Sequence, residues 1–253
     1  MSLKILLAGE SWVSAATHYK GFDQFGSVTF HLGAEPLVKA LEDAGHAVRY
    51  MPAHECATAF PFDAAGLSEW DVVILSDIGA NTLLLHPDVW LHGRTVPNRL
   101  VAVAEYVRAG GGLAMIGGYF SFQGINGAAR FRRTPVEAVL PVECLAWDDR
   151  IEVPEGFRAE PTGLEHPILD GLTSEPWPEL LGINEVVAKP EAEVLLSAPT
   201  AQGTHPLLVA GTAGRGRSLA WTSDLGPHWA PDRFVEWPGY GRLWDQAVRW
   251  LAG

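Results

Sequence analysis

At 253 residues, 47% of them hydrophobic, the chain is long enough to bury one large core, which excludes a disordered protein and a small stapled scaffold. Acidic residues outnumber basic ones 30 to 18, and a net charge of −12 without a basic stripe argues against nucleic acid or anionic membrane as partners. Cys56 and Cys144 stand in no disulfide or metal spacing and no segment nears the roughly 18 apolar residues of a membrane span, so a cytoplasmic location is expected.

Residues 4–8 read as a strand buried on both faces, and the opening apolar run is too short for a signal-peptide core. A helix over 35–44 follows, with Leu37, Val38 and Leu41 on one stripe and Gly45 as its stop, and then a strand over 46–51. Residues 71–76 form the clearest buried strand, and 86–92 read as a loop. A helix over 97–109 leads through Gly110-Gly111-Gly112 into a strand over 113–116 that breaks at Gly117-Gly118. This alternation predicts an α/β fold with a doubly wound, mainly parallel sheet.

After Pro141 the strands shorten, at 185–189, 192–197, 206–210 and 217–222, and at least one antiparallel pair is expected. A helix over 237–251 places Leu243, Trp244, Ala247, Val248 and Leu251 at helical spacing and should pack back on the sheet. The absence of a repeat or long linker makes 1–253 one domain. Trp70, Trp90, Trp221, Trp244 and Trp250 are expected in the core or at a subunit contact, because they lie in or beside predicted elements.

Open parallel sheets bind ligands beyond the carboxyl ends of their strands. Those ends carry Glu10 and Trp12, then Asp77, then Gly117, Gly118 and Tyr119, and finally Asp224. Together they predict a cleft with three carboxylates and aromatic walls from Trp12, Tyr119, Phe120 and Trp229, suited to a sugar, polyol or cationic ligand. Asp77 and Asp224 have an alternative role as caps or turn formers. His228 with Asp224 as its orienter is a candidate base, the alternative being an idle loop histidine. Ser121 lacks nucleophile-elbow spacing and is expected to cap the next segment or contact ligand with Gln123. Glu10, Asp77 and Asp224 are hard ligands compatible with magnesium, but no spacing demands a metal, and no glycine run fits a dinucleotide cofactor.

The stretch from Gly110 to Gly124, the segment His166-Pro167-Ile168-Leu169-Asp170-Gly171-Leu172 and the run from Gly216 to Asp224 resemble the class I glutamine amidotransferase superfamily. The likeness is greater to its amidotransferase-like branch and smaller to the trehalose-utilisation family. It implies a flavodoxin-like fold. Members of the superfamily carry Cys in a Gly-x-Cys-x-Gly turn, with His and Glu after a late strand. Here the corner holds Gly118 or Tyr119, and the late strand ends in Ser223-Asp224 with His228 beyond. Without a thiolate there is no covalent acyl intermediate, so glutaminase activity is not expected. The expectation is therefore small-ligand binding, with non-covalent hydrolysis in which Asp224, His228 and Glu10 act and the Gly118 and Tyr119 N–H groups stabilise negative charge. The alternative is a pseudoenzyme serving a homo-oligomer or a partner subunit.

Overall fold

The computed structural model describes residues 1–172 and 176–253. Strand β1 (Lys4–Gly9) turns directly into a long hairpin, β2 (Ser11–Lys20) and β3 (Asp23–Leu32). Helix α1 (Glu35–Asp43) leads to β4 (Ala47–Pro52), the short helices α2 (Ala53–Ala59) and α3 (Ala64–Leu67), and β5 (Val72–Ser76). Helices α4 (Ala80–Leu84), α5 (Pro87–Trp90) and α6 (Arg99–Arg108) precede β6 (Gly112–Ile116). The second half contains β7 (Val142–Cys144), β8 (Arg150–Arg158), β9 (Glu160–Pro161), β10 (Glu179–Asn184), β11 (Val186–Ala188), β12 (Glu193–Thr200), β13 (Gly203–Ala213) and β14 (Gly216–Trp221). It closes on α7 (Asp232–Val235) and α8 (Pro238–Ala252).

The main sheet has the order β4-β1-β5-β6-β14-β13-β12-β9. Its first five strands are parallel neighbours, and in chain order they run 2-1-3-4-5, the flavodoxin-like winding. From β14 onward the pairings are antiparallel, so the sheet continues from the first half of the chain into the second. Every central strand is apolar at successive positions because both faces are covered. Ile5 and Leu7 of β1 face a core shared with α1 and α8, whereas Leu6 and Ala8 face one shared with α2, α4 and α6. Asn98 starts α6 by accepting from the Leu100 N–H, and Pro238 occupies the first turn of α8.

Three expectations are corrected. Residues 11–32 are a hairpin with both faces largely exposed, so Trp12 lies in a strand and not a loop. Of the two places expected for Trp90, the core is excluded, since it is 63% exposed at the end of α5. The segment 86–92 is partly helical, because His86 accepts from the Asp88 N–H and Pro87 supplies a pre-set φ at the first turn. Trp221 and Trp244 are fully buried, and Trp70 and Trp250 pack half-buried against the two cores.

Candidate active site at the sheet switch point

In a 2-1-3-4-5 sheet the crossovers diverge to opposite faces between the first and third strands, which leaves a crevice above their carboxyl ends. Here those strands are β1 and β5, and the residues just past them are Glu10 and Asp77. Both have left-handed backbone, with φ of 46° and 42°, a conformation that costs a non-glycine residue energy and clusters at functional sites. The Glu10 N–H donates to the Ser76 carbonyl at 2.7 Å, while the Glu10 carbonyl accepts from the Gly33 N–H and the Tyr50 hydroxyl. A Cβ on Gly33 would stand 2.7 Å from Glu10 Oε1, so this position needs glycine for the carboxylate to fit.

A cleft of about 370 Å³ opens over this point, lined by Glu10, Asp77 and Asp224 with Trp12, Tyr119, Phe120, Pro227 and His228. Burial raises the Glu10 carboxyl well above its ordinary range, and the charges of Asp224 and Asp77 add to the rise, while the hydroxyl of Ser76, donating at 2.6 Å, opposes it. Burial likewise lifts Asp77 to about 6 although its Oδ1 accepts from the Phe120 N–H at 2.6 Å. His228 Nδ1 lies 3.1 Å from Asp224 Oδ2. Burial alone would lower the imidazole, but the hydrogen bond and charge of Asp224, with Glu152 and Asp77 behind it, raise it above its usual value. Asp224 thus makes the imidazole a stronger base than a free histidine side chain.

The fourth strand ends in the corner that would carry a nucleophile. A Cβ on Gly117 would stand 2.3 Å from the Thr222 carbonyl, and Gly118, at φ 136°, would place one 2.9 Å from Asp77 Oδ1. The corner is therefore Gly118, and it has no room for a side chain. Gly117→Ala is expected to cost about 1–3 kcal/mol, to be read as a lowered thermal midpoint. Cys56 and Cys144 are buried outside the cleft; burial pushes the Cys56 thiol up to about 12 and raises Cys144 well above its ordinary value.

Several expected contacts lie elsewhere. The Gly118 N–H donates to Asn184 Oδ1 at 3.0 Å, so it is not free to stabilise an oxyanion. Asn184 donates in turn to Asp149 Oδ1 at 2.8 Å, and Asp149 also accepts the Gln123 and Gly124 N–H groups. Burial raises Asp149 to about 6 despite these donors. Ser121 is buried, donating to the Ile116 carbonyl and accepting from the Asp77 N–H, while the Gln123 side chain binds the Gly127 carbonyl; neither lines the cleft. Trp229 is 1% exposed, with Nε1 donating to Glu152 at 2.8 Å. It backs the cleft by stacking on His228 at 5.1 Å, and Tyr119 meets His228 edge-on at 4.4 Å.

Asp149 and Asn184 were not legible as functional positions because they lie far apart in sequence and meet only where β10 passes the elbow loop. Pro227 also lines the cleft, and with no reactive group it carries no signal in sequence. Among the described residues no set of three His, Cys, Asp or Glu side chains has metal-holding geometry.

A flavodoxin-like sheet with an unreactive glycine elbow and a carboxylate-lined switch point defines the class: an amidotransferase-like fold without the thiol. The chain belongs to the GATase1-like family, described as "Putative glutamine amidotransferase", which it matches over residues 4–253. It is 41% identical to the cytoplasmic protein STM3548 from Salmonella typhimurium, with a TM-score of 0.92 over 98% of this chain and 99% of that one. It is 40% identical to the cytoplasmic protein STM1381 from Salmonella typhimurium LT2, with a TM-score of 0.93 over the same shares. A ThuA-like protein from Parabacteroides merdae shares the fold at 14% identity, with a TM-score of 0.62 over 100% of this chain and 90% of that one. No curated protein matches the chain. No helix among the described residues is long and apolar enough to cross a membrane.

Proposed function

We propose that this protein binds a small polyhydroxylated ligand of the sugar or polyol class in the switch-point cleft and acts on it, if at all, without a covalent intermediate. One observation carries the reading: Glu10, Asp77 and Asp224 share a cleft with Trp12, Tyr119 and Phe120. Carboxylates accept from vicinal hydroxyls, and flat aromatic faces cover the C–H side of a sugar ring. Glu10, whose neutral form is favoured by burial, supplies a donor beside the acceptors Asp77 and Asp224. In the hydrolytic form of the reading, His228 exchanges the proton and Asp224 orients it. The two relatives described as cytoplasmic support a cytoplasmic setting for this chemistry.

The test is a thermal-shift panel of sugars, polyols, amino acids including glutamine, and nucleosides on the wild type and on Asp224→Asn. A ligand at about 100 times its Kd adds roughly 2.7 kcal/mol, a rise of about 5–10 °C in a domain of this size. A sugar or polyol shift lost in Asp224→Asn is the expected result. A shift with amino acids or nucleosides alone, or one indifferent to Asp224, would overturn the assignment. Should an activity be found, His228→Ala is expected to abolish it while sparing most of the binding shift.

A further inference from the structure

The β2–β3 hairpin stands apart from the main sheet. Its register runs unbroken from Ser11↔Leu32 to Lys20↔Asp23, without a bulge or proline. Ten residues per strand at about 3.3 Å each carry it about 33 Å. Gly21, at φ 65°, occupies the first position of the two-residue turn, where a hairpin of this hand needs a left-handed residue. Among the described residues no third strand pairs with either edge.

Such an arm is at odds with ordinary surface design. A lone two-stranded hairpin is marginal in water, and free edges are usually blunted with charge, proline or bulges. This one has a single Lys and a single Asp, both beside the turn. Val13, Ala15, Val28 and Phe30 fall on one face, where Phe30 meets only the root-side His54 edge-on at 5.0 Å. Farther out, Val28 and Tyr19 are each 73% exposed and Phe22 at the tip is wholly so.

We propose that this arm docks against the same arm of a second copy of the chain, forming a two-fold dimer. Three observations favour a second copy as the occupant. The arm's residues 11–32 sum to zero formal charge on a chain of −12, so the arm is where two like-charged bodies can meet without repulsion. Of the large apolar side chains exposed along it, Val13, Tyr19, Val28, Phe30 and Leu32 share one face; at about 100 Å² each, two such faces bury about 1,000 Å², the lower end of a specific interface. An unpaired strand edge laid antiparallel on its own copy is self-complementary, as a two-fold interface must be. The root of the arm carries Glu10, Trp12 and Gly33, so docking would also brace one wall of the cleft.

Light scattering on a sizing column at micromolar protein tests this with the wild type, Val28→Lys, and an arm shortened by replacing residues 14–29 with a Gly-rich turn. The wild type is expected at twice the 27.4 kDa chain mass, both variants nearer 27.4 kDa, and the dimer Kd of Val28→Lys at least about tenfold weaker. Far-ultraviolet spectra and thermal midpoints close to wild type would show the body intact. A monomeric wild type, or a shortened arm that keeps the wild-type mass, would overturn the proposal. The readout is independent of whether the cleft binds sugars.

Discussion

Asp77→Asn is expected to raise the thermal midpoint at pH 8 by about 4–12 °C, the equivalent of about 2–3 kcal/mol at roughly 2–4 °C per kcal/mol. In the unfolded chain Asp77 titrates near 3.8, and in the folded protein burial moves it to about 6. The fold therefore holds this proton more tightly than the unfolded chain does. The stability it contributes is complete below pH 3.8 and is lost as pH rises through about 6, beyond which the buried charge is a standing cost. Asparagine never bears that charge and still presents an oxygen to the Phe120 N–H, so its advantage should be full at pH 8, shrink as pH falls toward 4, and vanish below. Glu10→Gln follows the same sign, because the Glu10 carboxyl is also raised by burial and by its two acidic neighbours. The double variant should gain less than the sum, since the charge of Asp77 is part of what raises Glu10 and removing it relieves Glu10. Unfolding followed by circular dichroism across this pH range checks all three. A gain independent of pH, or a loss at pH 8, would show that the cluster is not held against its own charge. Stability gained by removing acids from a cleft is what a site kept for binding predicts.

Arg99→Ala is expected to cost about 3–5 kcal/mol and to lower the midpoint by about 6–20 °C. Arg99 is 0% exposed and, among the described residues, its guanidinium meets no carboxylate. Its guanidinium donates instead to the carbonyls of Cys56 and Ala57 in α2 and of Thr82 and Leu83 in α4, and lies 5.2 Å from the centre of the Phe62 ring. Those carbonyls lie toward the C-terminal ends of short helices, where most last-turn carbonyls lack intrahelical donors and carry the negative end of the helix dipole, although Cys56 also accepts from the Phe60 N–H. One cation on the first turn of α6 thus ties α2 and α4 beneath the strand ends that bear Glu10 and Asp77. Removing it leaves the Leu83, Ala57 and Thr82 carbonyls without this donor, and a cavity. Arg99→Lys should recover only part of the loss, because an ammonium has fewer donors and lacks the planar fork that reaches two helices at once. Denaturant unfolding would decide it. A loss under about 1 kcal/mol for the alanine variant would mean that water replaces the guanidinium at those carbonyls.

The parallel half of the sheet was legible because its strands are buried on both faces and read as uninterrupted apolar runs, such as 71–76, separated by helices with a single stripe. The arm was not, because its apolar alternation at Val28, Phe30 and Leu32 covers only a few residues and β2 has no matching pattern. Trp229 was placed on the cleft wall because it sits next to His228 in a loop; sequence adjacency does not reveal that its ring turns inward against Gly182. Gly118 was assigned a free N–H on the same basis, before Asn184 was brought to it from 66 positions away.

By itself the sequence determined the fold family, the absence of a nucleophile at the elbow, and the set of acids available at strand ends, since these follow from local residue identity and from the period of apolar burial. Only the tertiary structure decided which donors are already engaged, which carboxylates share one crevice, and that a neutral arm projects from an acidic body. Those properties depend on contacts between residues tens to hundreds of positions apart, where burial and neighbouring charge, and not the residue type, set the chemistry.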